Sequence, residues 1–254
     1  MSSPADVAVH SDWFKAWFNH PAYLKLYAHR SLEEAEQTID MLLKFITVDV
    51  RNPKVLDIAC GSGRHAVALA ERGFQVTAND LSSALLAEAR KLAEAKQTTP
   101  TFTQFDMREI PFENEFDLIV QLFTSFGYFE SDDEDKVVLA HIARALKPGG
   151  WYVLDFLNAH LLRKTLQPES RRTLGGIDVL EQRVIFGERV VKSIAISEGG
   201  ETHRFMEAVR LYSMEELSNM LQVVGLRVHR LFGDYHGEAF VPDASLRLIF
   251  IAQK

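Results

Sequence analysis

A short stretch in the first quarter of the chain combines an acid, a thiol and two glycines directly after apolar residues. It runs from Lys54 to Gly63 and reads K-V-L-D-I-A-C-G-S-G. The apolar half predicts a buried parallel strand, and Gly61 and Gly63 permit a tight turn that brings the backbone close to a ligand. A helix predicted to follow would point its free N–H groups at the same place. The stretch therefore predicts a site for a nucleotide-type cofactor.

The acid in this stretch, Asp57, distinguishes two classes of cofactor. The letters G-S-G-R-H-A that follow also satisfy the dinucleotide pattern G-x-G-x-x-G/A. A carboxylate at the end of the strand would repel a pyrophosphate, whereas it would favour a sulfonium nucleoside with a charged α-amino group. Asp57 therefore favours the sulfonium. Cys60 is interpreted as a small side chain that fills the loop rather than as an activated thiolate.

Four further segments resemble the strands and turns of one known family. They are residues 74–80, 101–107, 115–120 and the L-K-P-G-G turn with its strand at 146–154. The chain resembles the class I S-adenosylmethionine-dependent methyltransferases, whose first motif is [D/E]-x-G-x-G-x-G; here Ala59 replaces the first glycine. The resemblance implies an α/β fold with a Rossmann-like seven-stranded sheet, methyltransferase activity and S-adenosyl-L-methionine as cofactor.

The same resemblance implies roles for individual residues. Asp80 would accept hydrogen bonds from both ribose hydroxyls, Asp106 would accept one from the adenine amino group, and Met107 would pack on the ring. If the N-terminal segment forms a lid over the cofactor, Tyr27 and Arg30 would approach the methionine carboxylate. The complete set of predicted cofactor-binding residues is Tyr27, Arg30, Asp57, Ala59, Cys60, Gly61, Gly63, Asp80, Leu81, Asp106, Met107, Gln121 and Phe123.

Two regions outside the predicted core should position the methyl acceptor. Helices are predicted over 12–28 and 31–47, and six aromatic residues between Trp13 and Tyr27 predict either a packed staple or a lid over the cofactor. Alternating residues from Arg171 to Tyr212 predict a three-stranded antiparallel insertion after the fifth strand, which either covers the acceptor pocket or mediates oligomerisation. The predicted divisions are a lid (1–50), a core (51–165 and 213–254) and an insertion (166–212).

Polar residues after the later strands are candidates for the acceptor site. His236 is the candidate general base, and Tyr128 and Asp155 are candidates for orienting the acceptor. An amine needs no base, whereas a hydroxyl or carbon acceptor does, so the sequence leaves the acceptor atom open. The F-T-S-F-G-Y-F segment resembles amino-sugar N-methyltransferases and lacks the N-P-P-Y motif of nucleic-acid amine methylases.

Composition narrows the expected partners. The formal net charge of −7 argues against a broad nucleic-acid surface, and the single cysteine and the lack of a long apolar run favour a cytoplasmic protein without membrane contact. We expect a small-molecule acceptor, no bound metal and a monomer or homodimer. The alternatives are a nicotinamide-dependent oxidoreductase and a non-catalytic S-adenosylmethionine-binding protein.

Overall fold

The computed structural model describes residues 12–48 and 50–254 and contains eight helices and eleven strands in them. In chain order these are α1 (Trp13–Phe18), α2 (Pro21–Leu26), α3 (Leu32–Leu43), β1 (Lys54–Ile58), α4 (Arg64–Glu71), β2 (Gln75–Asn79), α5 (Ser83–Ala95), β3 (Thr101–Thr103), β4 (Phe116–Gln121), α6 (Asp132–Ala145), β5 (Leu146–Leu157), α7 (Ala159–Thr165), β6 (Glu169–Leu174), β7 (Ile177–Phe186), β8 (Arg189–Glu198), β9 (Glu201–Arg210), α8 (Met214–Val223), β10 (Arg227–Phe232) and β11 (Arg247–Gln253).

A seven-stranded sheet with the order β10-β11-β5-β4-β1-β2-β3 forms the centre of the fold. β1 to β5 pair in parallel, whereas β11 runs antiparallel to both of its neighbours. β1 and β4 are almost wholly buried, as a parallel strand covered on both faces requires. The predicted Rossmann-like seven-stranded sheet is confirmed. In such a sheet ligands bind beyond the carboxyl ends of the strands.

Helices cover both faces of this sheet and bury two apolar clusters. One face holds α3 and α4, where Ile39, Leu42 and Leu69 pack with strand residues. The other face holds α6 and α8, which bury Leu139 and Leu217 in the larger cluster. α3 therefore packs on α4 as part of the helical layer rather than over the strand ends. Of the helices in the described residues, none has the length and apolar character to cross a bilayer.

The predicted helix over 12–28 is two short helices, α1 and α2. The break falls at Asn19 and His20, because Pro21 occupies the first position of α2 and the His20 ring accepts the N–H of Ala22 at 3.2 Å. The helix predicted over 31–47 ends earlier, at Leu43. Its start is capped by the hydroxyl of Ser31, which accepts the backbone N–H of Glu34 at 3.1 Å.

The insertion after β5 is antiparallel, as predicted, but it contains four strands rather than three. Its order is β6-β7-β8-β9. The missed turn lies at Gly175 and Gly176, whose φ values of +57° and +85° suit a two-residue hairpin connection. The segment 169–174 before this turn is therefore a strand, paired along its whole length with β7.

Candidate active site

The loop between β1 and α4 has the backbone shape that its sequence predicts. Ala59, Gly61 and Gly63 all have positive φ, at +55°, +58° and +80°. Ala59 therefore stands in a conformation that glycine adopts more easily, which explains why the related motif has glycine there. A Cβ on Gly63 would lie 2.7 Å from the Cβ of Ala89, so this glycine also lets α4 approach α5 closely.

Two buried acids lie beside this loop. Asp80 follows β2, and its two carboxylate oxygens each accept a backbone N–H at 2.8 Å, from Gly61 and Ser82. Burial raises the pKa of Asp80 to about 6, although these two N–H groups lower it. Burial also raises the pKa of Asp57 to about 8, and the nearby Asp80 carboxylate adds to this shift.

The free hydrogen-bond acceptors of these two acids indicate which cofactor fits the site. Asp57 Oδ2 is buried and has no hydrogen-bond partner, and Asp80 lines a cavity while retaining lone pairs beyond its two bonds. An acidic site with unused acceptors suits ribose hydroxyls and a cationic sulfonium or ammonium group. It does not suit a pyrophosphate. The donor and acceptor chemistry of the loop therefore fits S-adenosylmethionine.

A cavity of about 220 Å³ lies over the carboxyl ends of β1, β2 and β4. The predicted residues that line it are Tyr27, Arg30, Ala59, Cys60, Gly61, Asp80, Leu81, Asp106, Met107, Phe123 and Tyr128. The predicted residues that do not line it are Asp57, Gly63, Gln121, Asp155 and His236. The structure therefore brings most of the predicted cofactor residues together around one space.

Asp106 is held by Arg108, which no motif in the sequence indicates. Its carboxylate accepts bonds from the backbone N–H and the guanidinium of Arg108, the shortest at 2.6 Å. Partial burial alone would raise the pKa of Asp106, but the bonds from Arg108 lower it below its usual value. Arg108 also pairs with Glu134 and lies 4.2 Å from the ring centre of Phe129. It thus joins the expected adenine end of the cavity to α6.

Asp155 shapes the turn after β4 instead of lining the cavity. Its carboxylate accepts the N–H of Phe123 at 2.8 Å and the hydroxyl of Tyr235 at 2.7 Å, and it pairs with Arg247 at 2.7 Å. Phe123 and Thr124 both have positive φ, near +63°. This conformation is unfavourable for bulky and β-branched residues. Asp155 therefore holds the strained turn that places the Phe123 ring in the cavity wall.

Gln121 is also a supporting residue. It is fully buried, accepts the hydroxyl of Tyr152 at 2.7 Å and donates to the carbonyl of Ser125 at 2.8 Å. Its amide therefore connects β4 with β5 and with the loop that follows β4. In the sequence, Gln121 is recognisable only as a glutamine at the end of a buried strand. That position does not distinguish a residue that contacts the cofactor from one that supports the residues around it.

Tyr128 lies in the cavity wall, whereas His236 lies outside it. Burial raises the pKa of Tyr128 well above that of free tyrosine, so the phenol keeps its proton and donates to the carbonyl of Thr124 at 2.7 Å. His236 is exposed in a loop whose Gly237 packs near Met41 of α3. The geometry gives the general-base role of His236 no support.

Two further groups in the wall carry no charge. Burial lowers the pKa of His65 to about 3, so its imidazole is neutral at physiological pH. Burial raises the pKa of Cys60 well above its usual value, which agrees with its interpretation as a small filling side chain. Across residues 12–48 and 50–254 there is no group of three or more acidic, histidine or cysteine side chains that could hold a metal.

The N-terminal aromatic residues form one side of the cavity. Phe14, Phe18, Tyr23, Tyr128 and Phe129 line it together, and we call these five residues the aromatic wall. Their rings contact one another, with centroids 5.1 Å apart for Phe18 and Tyr23 and 5.8 Å apart for Phe14 and Phe129. α1 and α2 thus lie across the strand ends, as a lid would.

Comparisons with known proteins agree with this geometry. Residues 55–150 match the family described as "Methyltransferase domain". The chain is 31% identical to the putative methyltransferase YqeM of Bacillus subtilis (strain 168) over 215 residues, which covers 79% of this chain and 84% of that protein. It is 27% identical to the cypemycin N-terminal methyltransferase of a Streptomyces species over 210 residues, which covers 79% and 83% of the two chains.

A solved structure shares the fold across nearly the whole chain. It is an S-adenosylmethionine-dependent methyltransferase from Clostridium acetobutylicum ATCC 824, with a TM-score of 0.77 at 19% identity. The match covers 91% of this chain and 96% of that one. The shared fold therefore extends well beyond the residues of the central sheet.

Proposed function

This chain belongs to the class I S-adenosylmethionine-dependent methyltransferases, and we propose that it methylates the nitrogen of a small, partly apolar amine. When bound, S-adenosylmethionine would supply a methyl group on a sulfonium, and the sulfur would leave as a thioether when a nucleophile attacks the methyl carbon in line. The new C–N bond forms as the S–C bond breaks, the positive charge passes to nitrogen, and the nitrogen then loses a proton to water. One observation carries the proposal. The aromatic wall, which would face the acceptor, offers no side chain that could act as a base.

The cofactor would be held at the strand ends. Asp80 would accept the ribose hydroxyls, Asp106 would accept the adenine amino group, and Met107 would pack on the ring. Asp57, which lies behind the cavity wall, would lose its proton when the positively charged amino-acid end binds nearby, because an adjacent cation lowers a raised carboxyl pKa, and it would then balance that charge. Arg30 would pair with the carboxylate of that end, because it lines the cavity and a guanidinium binds a carboxylate with two hydrogen bonds.

The aromatic wall would receive the acceptor. Its rings offer apolar surface and π-faces, which attract a cation such as the methylated ammonium product. They also exclude water from the space beside the cofactor. Positioning supplies most of the catalysis when the leaving group is good, so a wall that fixes the acceptor in line is sufficient for an amine.

The absence of a base on this wall favours nitrogen over oxygen. Its phenols, Tyr23 and Tyr128, have pKa values raised by burial and keep their protons. The imidazole that lines the cavity, His65, has a pKa lowered by burial to about 3 and is a weak base. An amine that enters in its neutral form needs no proton removed before attack. The Streptomyces relative is named as a cypemycin N-terminal methyltransferase, which agrees with an amine acceptor.

A panel of matched acceptors tests this proposal. We expect transfer of labelled methyl to primary or secondary amines with an apolar or sugar-like body, and none to the corresponding alcohols. The rate should rise with pH through the pKa of the amine itself, because the neutral amine is the nucleophile. The control is His236→Ala, which should leave this pH profile unchanged.

Two results would contradict the proposal. One is methylation of the alcohols at rates comparable to those of the amines. The other is a pH profile that flattens in His236→Ala, because that would identify the imidazole as the base.

A further inference from the structure

Glu207 on β9 of the insertion binds one side chain from α1 and one from the end of α2, and it also pairs with Lys192 on β8. Its Oε1 accepts the indole N–H of Trp17 at 2.7 Å and the hydroxyl of Tyr27 at 2.8 Å. Its Oε2 lies 2.5 Å from the Nζ of Lys192, and this ammonium also donates to the Tyr27 hydroxyl at 2.8 Å. The carboxylate thus holds one residue from α1 and one from the end of α2 against the insertion sheet.

The bonds at Tyr27 matter because its ring supports Arg30. The Arg30 guanidinium carbon lies 4.1 Å from the centroid of the Tyr27 ring and 4.6 Å from that of Phe123. Its Nη1 donates to the hydroxyl of Tyr23 at 3.3 Å. In the part of the chain that the structure describes, no carboxylate pairs with Arg30 within 4.0 Å. The guanidinium is therefore fixed between two rings while its charge is left for a ligand.

We propose that Glu207 is a positioning residue for the cofactor, and that through Tyr27 and Arg30 the insertion sheet contributes to binding the amino-acid end of S-adenosylmethionine. This inference rests on the role proposed above for Arg30. A guanidinium held in one place loses less conformational freedom when it binds a carboxylate with two bonds. Removing the Glu207 carboxylate should therefore weaken the binding of Arg30 to the cofactor without changing the contacts of the adenosine end.

Tyr27 keeps its proton, and this preserves its hydrogen bond to Glu207. Burial raises the pKa of Tyr27 far above its ordinary value, and the neighbouring Glu207 carboxylate raises it further. The phenol therefore remains a donor to Glu207 and an acceptor from Lys192 across the physiological range.

The variant Glu207→Gln tests the inference by calorimetry with two ligands. S-adenosylhomocysteine carries the amino-acid end, whereas 5′-methylthioadenosine shares its adenosine and thioether and lacks that end. We expect the Kd of S-adenosylhomocysteine to rise about tenfold, as the loss of one well-placed charged hydrogen bond would cause. The Kd of 5′-methylthioadenosine should stay within about twofold of wild type.

The matched control is Glu198→Gln. Glu198 also joins the two regions, through a bond of 2.8 Å to Lys25 of α2, but this pair is exposed and lies away from Arg30. It should leave both affinities unchanged. Tyr27→Phe, which keeps the ring and removes the hydroxyl, is the second variant in case Glu207→Gln does not fold, and it should give the same selective loss.

Equal weakening of both ligands, or of neither, by Glu207→Gln and Tyr27→Phe would overturn the inference. The variant Arg30→Met separates its failure from that of the proposed site. If Arg30→Met weakens only S-adenosylhomocysteine while the anchor variants do nothing, the role of Glu207 is wrong and the site stands. If Arg30→Met spares both ligands, the role of Arg30 is wrong, and the inference fails with it.

Discussion

At the scale of single residues, the site is built around acids that are buried before any ligand arrives. Asp57 is 1% exposed and has one carboxylate oxygen without a partner, and Asp80 is 7% exposed. Burying such groups costs stability unless they are neutralised or paired. The chain therefore carries a cost in the ligand-free protein that a cationic, hydroxyl-rich cofactor would offset.

This cost predicts how stability changes with pH. The pKa of Asp57 is raised by burial to about 8, above its unfolded value near 4, so the folded protein binds more protons between these pH values. The free energy of unfolding of the ligand-free protein should therefore fall as pH rises from 5 to 8. Between pH 5 and pH 8 the wild type should lose about 4 kcal/mol more of its unfolding free energy than Asp57→Asn does.

Urea unfolding at both pH values measures this difference. The exposed acid Glu113 provides the control, because Glu113→Gln should follow the wild-type slope. Parallel slopes for wild type and Asp57→Asn would show that Asp57 is not the group responsible.

Site residues that directly follow a strand can be predicted from the sequence, whereas the residues that hold site residues in place cannot. Asp80 and Asp106 each follow a predicted strand at a recognisable spacing, and both line the cavity. Arg247 and Tyr235 lie far along the chain from Asp155 and meet it only through the antiparallel pairing of β11 with β5 and the packing of the loop after β10. No local sequence pattern predicts contacts between residues so far apart in the chain.

At the scale of elements, α4 is bounded by two glycines that are required for different structural reasons. Gly63 precedes it and Gly73 follows it, with φ values of +80° and +85°. A Cβ at Gly73 would meet nothing within 4 Å, whereas one at Gly63 would lie 2.7 Å from the Cβ of Ala89 on α5. Gly63 is therefore needed for close helix packing as well as for its backbone conformation.

Substitution by alanine at each position distinguishes the cost of backbone strain from the cost of close helix packing. Gly73→Ala should cost about 1 kcal/mol of unfolding free energy from backbone strain alone. Gly63→Ala should cost about 2–4 kcal/mol, because overpacking against α5 adds to the strain. Equal losses in chemical denaturation would contradict the packing argument.

The elements themselves were predictable where pattern and packing agree. β1 and β4 are mostly apolar and buried, and the parallel strands lie close to where they are predicted. The hairpin at Gly175 and Gly176 was missed because its first strand, 169–174, alternates between exposed and half-buried residues and has no apolar face of its own. The break at His20 was missed because six aromatic residues dominate the helical pattern around Pro21.

At the scale of the whole molecule, three regions meet at one cavity. The central sheet supplies the acids and the glycine loop, α1 and α2 supply most of the aromatic wall, and the insertion anchors α1 and α2 through Glu207. The β insertion is thus linked to the site by hydrogen bonds rather than by lining residues. The family comparison supports a methyltransferase over the two alternatives, a nicotinamide-dependent oxidoreductase and a non-catalytic cofactor-binding protein.

The central claim is that this chain binds S-adenosylmethionine through the acids at its strand ends. Calorimetry with S-adenosylhomocysteine tests it most directly, with Asp80→Ala as the variant and the exposed insertion acid Asp178→Ala as the control. We expect one ligand bound per wild-type chain, and an affinity about a hundredfold lower in Asp80→Ala, because two hydrogen bonds to a charged acceptor are lost. Asp178→Ala should bind as wild type does. No binding by wild type, or undiminished binding by Asp80→Ala, would contradict the account.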